Sequence, residues 1–428
     1  MIKHLLIKIE GFPRSFLIAL GISLAVLLFT QCVHNDKDEK RVDQQPAFGQ
    51  FAGDQVCASC HKNIGNSFIH TAHYLTSAPA SGKTIRGSFA ACKNIFTYDS
   101  VRRVVMEKRD SGFYQVLYDQ GVEKTARRFD ITIGSGTRGQ TYLTWIGNTL
   151  YQLPVSYFTL TDSWSNSPGY LPHKINFDRP IASRCLECHS TFANTLSAPD
   201  AVPEKFDPEQ VLFGVGCEKC HGPAANHVAF HTQNPKETKA KFIIDPTSLS
   251  RQQSLDLCAL CHGGRLGKLR PSFQFTVGDS LSNYFLVDTN RPDPSGIDVH
   301  GNQYGLLRSS KCFRISGTMT CVTCHDPHAN QRGQLALFSE RCMGCHNTEH
   351  GNSCKMEEKL GSAIVQNCID CHMPRRPSRL ISVLLPGNIR PTAATIRSHF
   401  ISIYPEETKK YLGGRNSSGK NHSSAMAN

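Results

Sequence analysis

Hydrophobic residues are scarce in this chain: they make up 39% of 428 residues, a thin stock for the two to three cores that such a length suggests. Long apolar runs are also missing. The one sustained run, residues 16–29, follows Lys3, His4, Lys8 and Arg14 and gives way at once to polar sequence from His34 to Arg41. It is too short for a comfortable membrane span and has the form of an export signal. Blocks of five or six basic residues are absent too, so a formal charge of +12 is no nucleic-acid footprint, and that class of partner is set aside.

What the chain has instead is a pentapeptide repeated seven times. Cys-x-x-Cys-His occurs at Cys57-Ala58-Ser59-Cys60-His61, at Cys185, Cys188 and His189, at Cys217, Cys220 and His221, and at Cys258, Cys261 and His262. It returns at Cys321, Cys324 and His325, at Cys342, Cys345 and His346, and at Cys368, Cys371 and His372. Two thiols at this spacing reach the two vinyl groups of one porphyrin, and the next residue places an imidazole under its iron. Zinc sites built from paired C-x-x-C units have no need of a His after every second Cys. The motifs therefore predict seven covalently attached haem c groups, with the seven histidines as proximal ligands. Haem also accounts for the scarce hydrophobic residues, because each porphyrin is an apolar plate around which a chain can fold. Its propionates, roughly fourteen in all, balance the basic polypeptide.

Fourteen of the eighteen cysteines belong to the motifs, leaving Cys32, Cys92, Cys312 and Cys354. Cys32 stands where a lipoprotein signal is cut and lipidated, although Gln31 precedes it where a small residue is usual; simple cleavage and an uncleaved anchor are the alternatives. Export agrees with haem attachment outside the cytoplasm, and the expected location is periplasmic or at the cell surface on a lipid anchor. Cys312 and Cys354 flank the fifth and sixth motifs and are candidate partners for a disulfide in an oxidising compartment, with free thiols as the alternative.

The motifs divide the chain unevenly. An export signal (1–31) and a polar tether (32–50) lead to a first haem segment (51–90), a β-rich insertion (91–175), a six-haem domain (176–400) and a C-terminal segment (401–428) that is Gly-, Ser- and Asn-rich from Gly413 and expected to be disordered. The insertion carries strand-like runs at 101–106, 113–118, 129–133, 140–146 and 151–158, separated by turn sequences such as Asp119-Gln120-Gly121 and Gly147-Asn148. About five antiparallel strands are expected there, packed over the first haems. From 176 onward, short polar helices alternate with Gly and Pro breaks. The predicted fold is thus a multihaem cytochrome c: short helices and loops wrapped around stacked haems, with an antiparallel β insertion after the first motif.

The second axial position of each iron decides the chemistry. A second imidazole closes the iron and makes a carrier, whereas an open position admits a small molecule. Nine further histidines are available between the first motif and the tail: His70, His73, His173, His227, His231, His300, His328, His350 and His399. The distal candidates are His73 (with His70 as its competitor), His227 after Gly222-Pro223, His328 closing Cys-His-Asp-Pro-His, His350 and His399; His173 and His300 rank below them.

The run Gly216 to Pro223 with His227, the run Cys321 to His328 and the run Cys368 to Pro374 resemble a family of exported bacterial multihaem cytochromes. Its cytochrome c-552/4-type domain is shared with the tetrahaem carrier of nitrifiers and related to hydroxylamine oxidoreductase and nitrite reductase. Arg184 to Thr191 and Ser398-His399-Phe400 are similar to its pattern as well. The resemblance implies distal ligation by His227, His328 and His399. Two departures limit it: no tetratricopeptide-like repeat follows residue 400, and no Cys-x-x-Cys-Lys occurs, so the lysine-ligated haem of pentahaem nitrite reductases is not expected. The expected function is electron transfer along mostly bis-His haems, between a membrane or periplasmic donor protein and an acceptor. The alternative is an oxidoreductase with one open haem acting on a small nitrogen or sulfur compound.

Overall fold

The computed structural model describes residues 45–417 apart from 172–173, 200, 289–292, 352, 386–387 and 389. The export signal, Cys32, most of the tether, His173 and the tail beyond 417 lie outside the described residues.

The stretch after the first motif builds two antiparallel sheets. Strand β1 (Ser77–Pro79) precedes a four-stranded meander of β2 (Ile95–Thr97), β3 (Arg102–Arg109), β4 (Gly112–Asp119) and β5 (Val122–Arg128). A seven-stranded sheet follows from β6 (Ile131–Ile133), β7 (Gly139–Ile146), β8 (Thr149–Gln152), β9 (Val155–Phe158), β10 (Ser163–Asn166) and β11 (Arg179–Pro180), with β1 as an edge against β6. Phe96, Val104 and Met106 from the first sheet close on Tyr142, Val155, Tyr157 and Trp164 from the second, with Phe129 between them, in one aromatic-rich core. Alternation of buried and open positions along β3 puts Val104 and Met106 inside, as a half-buried strand requires.

Three features depart from the expected five strands. The run at 151–158 is cut in two, because Pro154 supplies no N–H to a ladder and ends β8 before β9 begins. Strand β5, Val-Glu-Lys-Thr-Ala-Arg-Arg, has no apolar alternation and was not expected. It is a mostly open, charged edge held by its pairing with β4, where charge guards against edge-to-edge association. The boundary at residue 90 is also crossed, since β1 from the first haem segment belongs to the large sheet.

The far side of that sheet carries the haem-motif region. Ile131, Leu143 and Leu150 pack against Leu186 of the second motif's helix and against Phe192, Ala193 and Phe206 of the hairpin β12 (Ser190–Thr195)–β13 (Phe206–Phe213). Beyond it the chain runs in short helices, the longest in the motif region being Arg251–His262, with two small strand pairs: β14 (Gly267–Lys268) with β15 (Phe285–Leu286), and β16 (Arg375–Val383) with β17 (Thr392–Arg397). Residues 413–417, expected to be irregular, complete the last helix, Pro405–Ser417. Among the described residues no helix is long and apolar enough to cross a membrane.

Candidate haem sites

Each motif sits on a single helical turn. His61 donates its backbone N–H to Cys57 O at 2.9 Å, His325 to Cys321 O at 3.0 Å and His346 to Cys342 O at 2.9 Å. A turn of this kind puts thiols at i and i+3 and an imidazole at i+4 on one face, the arrangement that one porphyrin edge and its iron need.

Histidines distant in sequence stand opposite four of these motif rings. Ring centres are 6.5 Å apart for His61 and His227, 6.2 Å for His221 and His328, 6.2 Å for His73 and His262, and 6.0 Å for His325 and His399. Direct ring packing brings centres closer, as in the 4.6 Å contact between His227 and His231. An imidazole–metal bond of about 2.0–2.1 Å, plus the distance from nitrogen to ring centre, puts two imidazoles on opposite faces of one metal with centres roughly 6.4 Å apart. The four spacings match a bis-imidazole iron. The charge of His300, like that of His262, acts on His189, which brings near a further motif histidine a residue that ranked low in the sequence.

Two further properties suit iron. Several of the rings have Nδ1 engaged: His221 with Ile244 O (3.0 Å), His372 with Ser402 O (2.9 Å), His227 with Lys241 O (2.8 Å), His189 with Thr76 Oγ1 (3.0 Å) and His262 with Gln303 Oε1 (3.2 Å). Such bonds leave Nε2 as the ligating nitrogen and fix the ring's orientation. Burial holds His73, His189 and His399 at a pKa of about 4 and lowers His262, His300 and His325, so these rings are neutral, the form that binds a metal. His73, His262, His300 and His325 nonetheless keep open ring surface. Among the described residues no group of three or more His, Cys, Asp or Glu converges as a bare-ion site would, whereas the ring pairs fit haem.

The motifs also abut one another. Thiols from different motifs neighbour one another: Cys57 and Cys217, Cys188 and Cys261, Cys258 and Cys321, and Cys342 and Cys368. Cys220 neighbours Cys258, and Cys324 neighbours both Cys342 and Cys345. In order of contact, the first motif adjoins the third, then come the fourth, fifth, sixth and seventh, with the second beside the fourth.

Buried acids inside the motifs, which sequence reasoning passed over, set these positions. Glu218, in Cys-Glu-Lys-Cys-His, is 4% exposed and accepts N–H bonds from Ala52, Gly53 and Ala224, each at 2.8 Å. It thereby ties the third motif both to the entry of the first motif's helix and to the start of the helix Ala225–Gln233 that carries His227. Asp54 accepts the Cys217 N–H at 2.8 Å. Glu187, 1% exposed, pairs with Arg184 at 2.8 Å and accepts the Phe273 N–H at 2.7 Å; Asp370 pairs with Arg397 at 2.6 Å. A charged residue between two cysteines reads as solvent-facing, so nothing local announced this role.

Other expected positions lie elsewhere. His350 is turned back on Asn347, with Nδ1 2.7 Å from Oδ1, and makes no ring contact with a motif histidine among the described residues. His70 is exposed. Cys312 and Cys354, expected as disulfide partners, stand as separate thiols, Cys312 half-buried and Cys354 exposed; Cys354 neighbours Cys371 and Cys312 neighbours Cys345. Cys92 is an exposed thiol.

Known proteins carry the same signature. The family described as "Cytochrome c554 and c-prime" matches residues 170–222, the stretch holding the second and third motifs. The chain is 24% identical over 176 residues to the C-type polyheme cytochrome OmcC of Geobacter sulfurreducens, covering 36% of this chain and 21% of that protein. It is 22% identical over 211 residues to the multiheme cytochrome MtrA of Shewanella baltica, covering 48% of this chain and 56% of that one. The matched part therefore spans about a fifth of the first relative's length and just over half of the second's. The crystal structure of outer cell wall cytochrome OcwA is similar at a TM-score of 0.49 and 18% identity, over 84% of this chain and 81% of that one. Residues 170–222 are thus similar to a cytochrome c554-type domain and the chain is similar to multihaem c-type cytochromes, a likeness that implies covalently bound haem c.

Proposed function

We propose that this chain is an exported heptahaem c-type cytochrome that carries electrons between a membrane or periplasmic donor protein and an acceptor. The observation that carries the proposal is the set of four imidazole pairs at 6.0–6.5 Å, which suits irons closed on both faces. The proposed axial pairs are His61 with His227, His262 with His73, His221 with His328, and His325 with His399; His189 takes His300. Bound haem supplies the one-electron couple. The polypeptide's part is to hold the motifs edge to edge, to keep the buried rings of His73, His189, His262, His300, His325 and His399 neutral and to engage the Nδ1 of several rings. The unbroken series of motif contacts supports a continuous route rather than isolated centres. An N-terminal lipid on Cys32 would hold the protein at a membrane.

The test is the spin state of the oxidised holoprotein together with its response to nitrite, hydroxylamine and carbon monoxide. Low-spin irons at all sites with no ligand-induced change are expected of a carrier. A high-spin iron that binds these molecules would replace the reading with that of an oxidoreductase. Whole-protein mass gives the haem count and shows whether Cys32 bears lipid; a mass short of seven haems would retire the heptahaem claim.

A further inference from the structure

One short surface segment holds two of the proposed axial ligands, which belong to different haems. The helix Ala225–Gln233 ends where Asn234 donates its N–H to Phe230 O at 2.9 Å, and the chain turns back through Glu237, whose carboxylate accepts the Lys239 N–H at 2.8 Å. The returning segment then meets two imidazoles within four residues. His227 Nδ1 lies 2.8 Å from Lys241 O, and His221 Nδ1 lies 3.0 Å from Ile244 O. Ile244 also donates its own N–H to His221 O at 3.1 Å. A carbonyl only accepts, so both imidazoles carry their proton on Nδ1 and present Nε2 as the free donor.

Between the two carbonyls stands Phe242, in a conformation that few side chains tolerate. Its φ is +57°, in the left-handed region where Gly is at ease and a bulky residue is an outlier. Phe242 is 64% exposed, and its ring meets that of Phe230 edge-on with centres 5.6 Å apart. Burial of the ring therefore does not account for the turn. What the turn achieves is to aim Lys241 O and Ile244 O at two different rings. His227 faces His61 of the first motif at 6.5 Å, and His221 of the third motif faces His328 at 6.2 Å.

We propose that Lys241 to Ile244 is a shared positioning element that ties together the redox potentials of the first and third haems, with Phe242 as the residue that sets its shape. The inference rests on the axial pairs proposed above. A bond from Nδ1–H to a carbonyl makes an imidazole a stronger ligand through Nε2, and a stronger ligand favours the ferric over the ferrous state. One displacement of this segment loosens both bonds, so the two potentials rise together.

The experiment is a spectroelectrochemical titration of the holoprotein, followed by its visible spectrum and by electron paramagnetic resonance, for wild type, Phe242→Pro and Phe242→Gly. Proline fixes φ near −65° and should turn both carbonyls away, raising two of the seven potentials by about 59 mV each, a tenfold shift in a one-electron equilibrium, with every iron still low-spin. Glycine adopts a positive φ freely and should move both potentials less. If the proline variant does not mature, Phe242→Ala, strained at that φ and lacking the ring contact, takes its place against glycine. A purely structural role for Phe242 would lower the melting temperature and leave the potentials where they were. Unmoved potentials, or a shift in only one, in a fully low-spin protein would overturn the shared element and leave the axial pairs standing. High-spin irons at these two sites in the wild type would overturn the axial pairs, and this inference with them.

Discussion

Replacing His73 isolates one proposed axial bond. Its ring centre is 6.2 Å from that of His262, close to the roughly 6.4 Å that two ligands of one metal require, and burial holds it neutral at a pKa of about 4. Among the described residues, His73 is the one imidazole standing opposite His262, so His73→Ala would leave that iron with its proximal ligand alone. One of the seven sites, about one seventh of the haem iron, should turn high-spin, read by electron paramagnetic resonance of the oxidised protein and by the visible spectrum. His73→Met separates ligation from packing: a thioether restores a low-spin iron and raises its midpoint potential, which a packing role would not do. A folded His73→Ala protein with the wild-type spin state would refute the pairing.

Three further changes probe other parts of the assembly. His231 lies 4.6 Å from His227 and its Nε2 is buried without a partner, so His227→Ala alone should leave that iron partly low-spin, with full conversion only in the His227→Ala, His231→Ala double variant; complete conversion in the single variant would show that His231 cannot stand in. Glu218→Ala removes one carboxylate from three N–H donors and should cost about 3 kcal/mol in chemical denaturation, while an unchanged midpoint would mean that these bonds position nothing. Asp99 is held at about pH 2 by Arg102 and by the Arg102 and Val101 N–H groups, so the folded state favours its carboxylate. The unfolded chain binds the extra proton between about pH 4 and pH 2. The stability that Asp99 contributes is present above that window and lost as pH falls through it. Asp99→Asn should flatten that limb of a melting-temperature profile, and an identical profile would remove Asp99 as its cause.

Half of each proposed iron site was written locally and half was not. Cys-x-x-Cys-His is a complete instruction within one helical turn, so the motif positions were legible from the chain alone. A distal histidine is supplied by another part of the fold, and its legibility followed its sequence surroundings. His227 after Gly-Pro and His328 after Cys-His-Asp-Pro carry a local mark, and both stand opposite a motif ring. His350 was proposed for its nearness in sequence to the sixth motif, but a short return bond to Asn347 takes its Nδ1, and proximity along a chain gives no direction to a ring. His300 had no mark at all; its charge acts on His189 across a long separation in the chain, which nothing local could announce.

The same reasoning applies to the β insertion, where runs of β-branched and aromatic residues between turn sequences showed β3, β4 and β7 but not the charged β5, whose place depends on the strand beside it. It applies again to the acids between the cysteines. Glu218 and Glu187 look like solvent-facing charges until three N–H groups from two segments converge on one and an arginine and a backbone N–H on the other. These carboxylates fix how one motif's helix sits against the next, and that placement sets which histidine can face which iron. Haem number is therefore a property of the pentapeptides, whereas the order and ligation of the haems are properties of the packing between them. A substitution in the second class, such as Glu218→Ala, should disturb the axial pair of His61 and His227 while every thioether remains intact.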